Sequence, residues 1–224
     1  EGENAPVYNK KQYLKGWRQR MDDTSKKITT DYFNKTAEDY DTSHDGKFVQ
    51  CMYREILARV PDTRGQRLLD LGCGNGNILK ILNERIPAEY YGLDISEKMI
   101  EEAGKKLGKA ARLQVGDAEQ LPYKDNFFDV VVCNASFHHY PNPEKAAAEM
   151  GRIIKSGGLL ILGDPTMPSI MIEVFNWALK WSSSGDVKLW KKREIRELFG
   201  RCGFVMEDWK RINYRCFVCS LRKK

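Results

Sequence analysis

Leu68-Leu69-Asp70-Leu71-Gly72-Cys73-Gly74-Asn75-Gly76 is a short apolar run that ends in an acid and a cluster of glycines. An uninterrupted apolar run reads as a strand buried on both faces, and glycines just after it let the backbone take angles that a Cβ forbids. The stretch is expected to be a strand turning tightly into a helix, with backbone laid flat against a bound molecule at the turn. Spacing narrows the ligand. A pyrophosphate-binding dinucleotide fingerprint, GxGxxG, needs glycine where this chain has Asn77. The pattern here is GxGxG, with Asp70 two residues before its first glycine. A carboxylate at that point repels a diphosphate but suits an ammonium group, so a zwitterionic amino-acid tail is expected and a dehydrogenase is disfavoured.

Outward from this turn, residues 66 to 164 alternate short apolar runs with amphipathic stretches, the rhythm of strand-helix units in a parallel sheet. Strands are predicted at Arg67–Leu71, Tyr90–Asp94, Arg112–Val115, Phe128–Asn134 and Leu159–Gly163. Helices are predicted at Asn77–Arg85, Glu97–Leu107 and Pro143–Ile154, the last started by Pro143 and ended before Gly157-Gly158. Asp94 closes the second strand, where an acid can accept hydrogen bonds from both hydroxyls of a ribose. Asp117 closes the third and can receive an adenine amino group. Ile95 and Met99 offer apolar and polarisable surface to the ring faces, and Ser96 can cap the helix that carries Met99. Acids at successive strand ends on one sheet edge define a single crevice for a nucleoside ligand.

Residues 1–60 read as a helical annex, with Tyr32, Phe33, Ala37 and Tyr40, then Val49, Met52, Tyr53, Ile56 and Leu57, at helical spacing. After the sheet come an apolar helix, Ser169 to Trp181, a charged helix around Lys191–Cys202, and two strand-like runs, Phe204–Trp209 and Tyr214–Leu221. The apolar helix has little polar face, so a cover over nearly every side is expected, either core, a subunit contact or a cap over a greasy substrate pocket. The net charge of +6 is concentrated late: from Thr166 onward there are 13 Lys/Arg against 6 Asp/Glu. Solvated helix faces explain this more simply than a polyanion site. Six scattered cysteines are too few for a disulfide scaffold, and reduced thiols are expected. Cys216 and Cys219 form a lone CxxC whose members point to opposite faces of a strand. No apolar run reaches the ~20 residues of a membrane span, and residues 1–20 do not resemble a secretory signal, so a cytoplasmic protein is expected.

Further motifs sit in order around this frame: Leu121-Pro122-Tyr123 before Phe127-Phe128-Asp129-Val130-Val131, then Phe137-His138-His139, Glu149 with Arg152, and Lys155-Ser156-Gly157-Gly158. With the glycine turn, they make residues 67–164 resemble the class I S-adenosylmethionine-dependent methyltransferases, in particular the ubiquinone/menaquinone-biosynthesis-like, type 11 group. Ser156 stands where that family usually has proline. The resemblance implies a Rossmann-like, mostly parallel seven-stranded α/β sheet with an antiparallel last strand, helices on both faces and an N-terminal helical lid. It divides the chain into an annex, 1–60, and a methyltransferase domain, 61–224, with inserted substrate-cap helices at 165–203. It also implies S-adenosylmethionine as cofactor, S-adenosylhomocysteine as product and no metal. The methionine tail is then placed against Gly72, Gly74 and Asn134, with Asp70 near its ammonium. The ribose falls on Asp94, and the adenine beside Ile95, Met99, Asp117 and Ala118. Tyr32 or Tyr40 closes over the cofactor in this arrangement.

Methyl transfer from a sulfonium is an in-line displacement that needs chiefly alignment and dryness. A protonated acceptor also needs a base, and His138 and His139 follow the fourth strand at the crevice mouth. An exocyclic amine of DNA is disfavoured, because Asn134-Ala135-Ser136-Phe137 lacks the Asn/Asp-Pro-Pro-aromatic run of such enzymes. A small-molecule acceptor is expected first, an RNA acceptor second, and a non-catalytic S-adenosylmethionine-binding module third. Acceptor atom, pathway and oligomeric state stay open.

Overall fold

The computed structural model describes residues 10–62, 64–179 and 185–224. Its elements run α1 (Lys10–Thr36), α2 (His44–Leu57), β1 (Arg67–Leu71), α3 (Asn77–Asn83), β2 (Glu89–Asp94), α4 (Glu97–Leu107), β3 (Ala111–Val115), β4 (Phe128–Asn134), α5 (Pro143–Ile153), β5 (Ile154–Pro165), α6 (Ser169–Ala178), α7 (Lys192–Arg201), β6 (Phe204–Arg211) and β7 (Cys216–Lys223). The strands form one seven-stranded sheet in the order β3-β2-β1-β4-β5-β7-β6. β1 to β5 are parallel, and β7 runs antiparallel to both β5 and β6. This is the Rossmann-like arrangement the sequence resemblance implies. Strand order reverses between β1 and β4, the place where open α/β sheets hold their ligands.

Period-two alternation inside apolar runs explains why the central strands carry almost no polar residue. Leu69, Leu71, Val131, Cys133, Leu160 and Leu162 pack on one face with Met150, Leu198 and Phe199 from α5 and α7. Leu68, Val130, Val132, Leu159 and Ile161 pack on the other with Met52, Ile56, Leu79 and Ala103 from α2, α3 and α4. Both faces are covered, so both sets must be apolar. The outer strand β3 is mostly partly or fully exposed, as an edge allows. The CxxC divides as its spacing requires: Cys216 joins the α2 side and Cys219 the α7 side. All six cysteines are free thiols, and Cys216 Sγ lies 3.2 Å from Cys51 Sγ on α2.

Several predicted boundaries shift for local reasons. β5 begins at Ile154, straight after α5, and its pairing with β4 jumps from Phe128↔Ile154 to Val130↔Leu159, so Lys155–Gly158 loops out of register. β7 starts at Cys216 because Tyr214 belongs to the turn after β6 and is 70% exposed. The helix predicted over Ser169 to Trp181 runs to Ala178, and residues 180–184 lie outside the described ones. The expectation that this helix is covered nearly all round does not hold within the chain. Ile172 is buried, but Ile170, Met171, Val174, Phe175 and Trp177 are all exposed.

The motif residues outside the glycine turn brace the frame. Arg152 on α5 donates to the carbonyls of Leu121 (2.9 Å) and Tyr123 (2.6 Å) and to both oxygens of Glu149. That clasp holds the Leu121-Pro122-Tyr123 segment ahead of β4.

Candidate functional site

At the carboxyl ends of β1, β2 and β4 a cleft opens. Of the residues singled out from sequence, Asp70, Gly72, Gly74, Asp94, Ile95, Met99, Asp117, Ala118, Asn134 and His139 all line it; His138 does not. The annex supplies the opposite wall through Lys26, Thr29, Phe33, Tyr40, Val49 and Tyr53.

The glycine turn is shaped by two different constraints. Gly72 has φ +72°, and a Cβ there would fall 2.0 Å from Ser136 Oγ, so only glycine fits. Gly74 has φ +50°, and a Cβ on it would meet nothing within 4 Å; the space beside it is open. Asp94 ties the turn to β2. Its Oδ2 accepts the Gly74 N–H and its Oδ1 the Ser96 N–H, each at 2.9 Å. Burial raises its pKa while those N–H groups oppose the rise. Part of the carboxylate's acceptor capacity stays free. Ser96 Oγ in turn accepts the Met99 N–H at 3.1 Å and caps α4.

Asp70 stands out electrostatically. It is 1% exposed, and neither carboxylate oxygen has a hydrogen-bond partner. Burial, with the neighbouring Asp94, pushes its pKa up to about 8. An orphaned buried carboxylate is costly unless a cation or donor reaches it. Asn134 Oδ1 is buried and unpartnered as well.

Asp117 sits at the rim, and the annex occupies part of it. Lys26 on α1 donates to Asp117 Oδ2 and to Glu119 Oε2, both at 2.7 Å, while Asp117 Oδ1 accepts the Glu119 N–H at 2.8 Å. Burial works against the Lys26 charge, but the two carboxylates outweigh it and raise its pKa. Of the two annex tyrosines, Tyr40 lines the cleft, whereas Tyr32 turns its hydroxyl to Asp45 Oδ2 at 2.6 Å. Phe33, missed in the sequence reading, stands edge-on to the His139 ring at 5.2 Å and to Tyr40 at 6.1 Å.

The two histidines share a cluster that sequence reasoning saw only in half. His138 Nδ1 is 2.8 Å from Asp164 Oδ1, at the end of β5, and its Nε2 is 3.3 Å from Asp186 Oδ1. Burial lowers the His138 pKa, but the two carboxylates overcome this and lift it to about 10. Burial and the adjoining His138 charge press His139 down to about 3. Asp164 was visible in principle, since it is another acid closing a strand. Asp186 carried no signal, because it lies in an irregular segment brought near only by folding.

The cleft brings together an unpaired buried carboxylate, an open glycine turn, a strand-end acid held by two backbone N–H groups and an apolar slot. A family model described as a methyltransferase domain matches residues 69–162. An uncharacterized methyltransferase of Geobacillus thermodenitrificans is 36% identical over 141 residues, covering 60% of this chain and 65% of its own length. The 27-O-demethylrifamycin SV methyltransferase of Amycolatopsis mediterranei is 37% identical over 114 residues, covering 49% of this chain and 42% of its own. The chain thus spans less than two thirds of either relative. In fold it is similar to a Haloferax volcanii putative methyltransferase solved in complex with the Trm112 activator, with TM-score 0.74, 22% identity, and coverage of 85% and 96% of the two chains. Fold and matches agree on residues 69–162, which carry a methyltransferase domain similar to the class I S-adenosylmethionine-dependent methyltransferases of the type 11 group.

Proposed function

We propose that the chain binds S-adenosylmethionine in this cleft and transfers a methyl group to a small-molecule acceptor by in-line displacement. The observation that carries the reading is Asp70, whose buried, unpartnered oxygens call for the ammonium of an amino-acid ligand. Gly72 and Gly74 would present backbone to the methionine portion, with Asn134 beside it. Asp94 would hold the ribose, Ile95, Met99 and Ala118 the faces of the adenine, and Asp117 its amino group. The bound cofactor contributes an electrophilic methyl on a positively charged sulfur, and S-adenosylhomocysteine is left.

The chain's own part is to align and to exclude water, and alignment is worth ~7–11 kcal/mol of barrier. Residues 1–60, of which 1–9 lie outside the described ones, are proposed as the lid, with Lys26, Phe33 and Tyr40 lining the cleft. Residues 61–224 are the methyltransferase domain. The insertion at 165–203 brings Asp186 against His138 and His139, the pair proposed to act on the acceptor.

An aromatic, lidded cleft suits a small acceptor better than a polymer. The basic C-terminal part supports an RNA acceptor less than its charge suggests, because Lys188, Lys191, Lys210 and Arg222 each pair with a carboxylate. No DNA acceptor is proposed. Among the described residues no helix is long and apolar enough to cross a membrane, and a cytoplasmic location is the proposed one. A protein partner on the pattern of the Haloferax complex is compatible with this reading.

Thermal melts with S-adenosylmethionine, S-adenosylhomocysteine, NAD and NADP test it. A ligand at a hundred times its Kd stabilises by ~2.7 kcal/mol, so the first two should raise the midpoint and the nucleotides should not. Stabilisation by NAD alone would overturn the proposal. Turnover of a labelled methyl donor with metabolite pools then separates an enzyme from a silent binding module.

A further inference from the structure

The cluster beside the cleft holds a buried ring nitrogen, His139 Nδ1, that no hydrogen bond uses. His138 and His139 lie side by side after β4, with ring centroids 3.9 Å apart and planes tilted by 40°. Asp186 Oδ1 reaches both, 3.3 Å from His138 Nε2 and 3.4 Å from His139 Nδ1. His139 Nδ1 still forms no hydrogen bond, although the residue is only 8% exposed. A buried polar atom left in that state is destabilising until a partner reaches it.

Three properties go beyond a simple charge cluster. The first is spacing: ligands ~2.1 Å from a tetrahedral zinc ion stand ~3.4 Å from one another, close to both distances from Asp186, and the three ligand atoms all lie within 4.8 Å of one another. The second is backing. His138 Nδ1 is hydrogen-bonded to Asp164, which is fully buried, and a carboxylate behind an imidazole fixes the tautomer and ring orientation of a metal ligand. The third is charge. Asp164 and Asp186 both face His138, and a divalent cation would balance both carboxylates.

We propose that His138, His139 and Asp186 form a site for a divalent transition-metal ion of the zinc type, oriented by Asp164 and open at one position. Two imidazoles and one carboxylate are the donors that such ions prefer over calcium or magnesium. Three protein ligands with a vacant fourth position characterise catalytic rather than structural zinc. Of the three, His139 lines the cleft, and through it the proposed ion would reach an acceptor bound there. Resting on the methyltransferase reading, this narrows the acceptor to small molecules that offer a hydroxyl, phenol or enol oxygen to a cation.

The test is a Co²⁺ titration of the full chain without a polyhistidine tag, followed by visible ligand-field absorption and displacement by Zn²⁺. One equivalent with the strong absorption of a low-coordinate site is expected. Asp186→Ala or His139→Ala should weaken binding at least ~100-fold, and Asp164→Asn ~10–100-fold, as for other carboxylates that support metal-bound histidines. Calorimetry of S-adenosylmethionine on Asp186→Asn should give an affinity within about threefold of the parent chain, showing an intact fold. No Co²⁺ spectrum, or one unchanged in Asp186→Ala and His139→Ala, would overturn the site. Co²⁺ binding by a chain that ignores S-adenosylmethionine would sustain the metal site and sink the proposed function; the reverse result would do the opposite.

Discussion

The carboxylate of Asp94 accepts the backbone N–H of Gly74 at 2.9 Å, joining the end of β2 to the glycine turn that follows β1. One side chain thereby shapes the backbone cradle and, in the proposed complex, would also meet the ribose. Asp94→Ala is expected to weaken S-adenosylmethionine binding by ~100-fold or more and to loosen the turn, with a stability loss of ~1–2 kcal/mol. Calorimetry and denaturant melts of the same preparation measure both. Unchanged affinity would remove Asp94 from the ribose role.

Asp70 exchanges stability for binding. Its folded pKa of about 8 lies above the ordinary carboxylate value, so its contribution is fully present below pH ~4 and is lost as pH rises through about 8. Asp70→Asn has no charge to bury and should gain on the parent chain by up to ~1.4 kcal/mol per pH unit across that window. The same variant should lose S-adenosylmethionine binding. Melts from pH 4 to 8, with and without ligand, check both halves; a variant less stable than the parent at pH 8 contradicts the account.

Lys26 bridges Asp117 and Glu119 from across the cleft, at the lid's edge. Partly exposed pairs of this kind are worth ~1 kcal/mol or less, so Lys26→Ala should speed ligand release about fivefold and leave the fold intact. Stopped-flow fluorescence would read the rate. An unchanged rate would mean that the annex does not gate the cleft through this contact.

Arg152 holds two carbonyls and a carboxylate far from the ligand cradle. Arg152→Ala should cost on the order of 2–3 kcal/mol in urea unfolding, while S-adenosylmethionine affinity stays nearly constant below the transition. Loss of binding at full stability would instead assign Arg152 to the site.

On α6, Val174→Ser is expected to change stability by less than ~0.5 kcal/mol, because that side chain is 70% exposed. A large loss on chemical denaturation would show that the apolar face is covered in solution.

Local chemistry made much of this molecule readable. Apolar runs of strand length, glycines immediately after one of them, and acids closing three strands state their own geometry, because period-two alternation and the reach of a Cβ act over a few neighbouring residues. Asp70, Asp94 and Asp117 could be assigned to one sheet edge before any coordinates, since parallel strands joined by helices must end on the same side. Tertiary structure alone decided the partnerships made across long loops. It gave His138 to Asp164 and Asp186, turned Tyr32 away in favour of Phe33, set Lys26 on Asp117, and left α6 with its apolar face outward. Such contacts depend on how whole elements pack, and a side chain 91 residues away in sequence leaves no periodic trace of the neighbour it will meet.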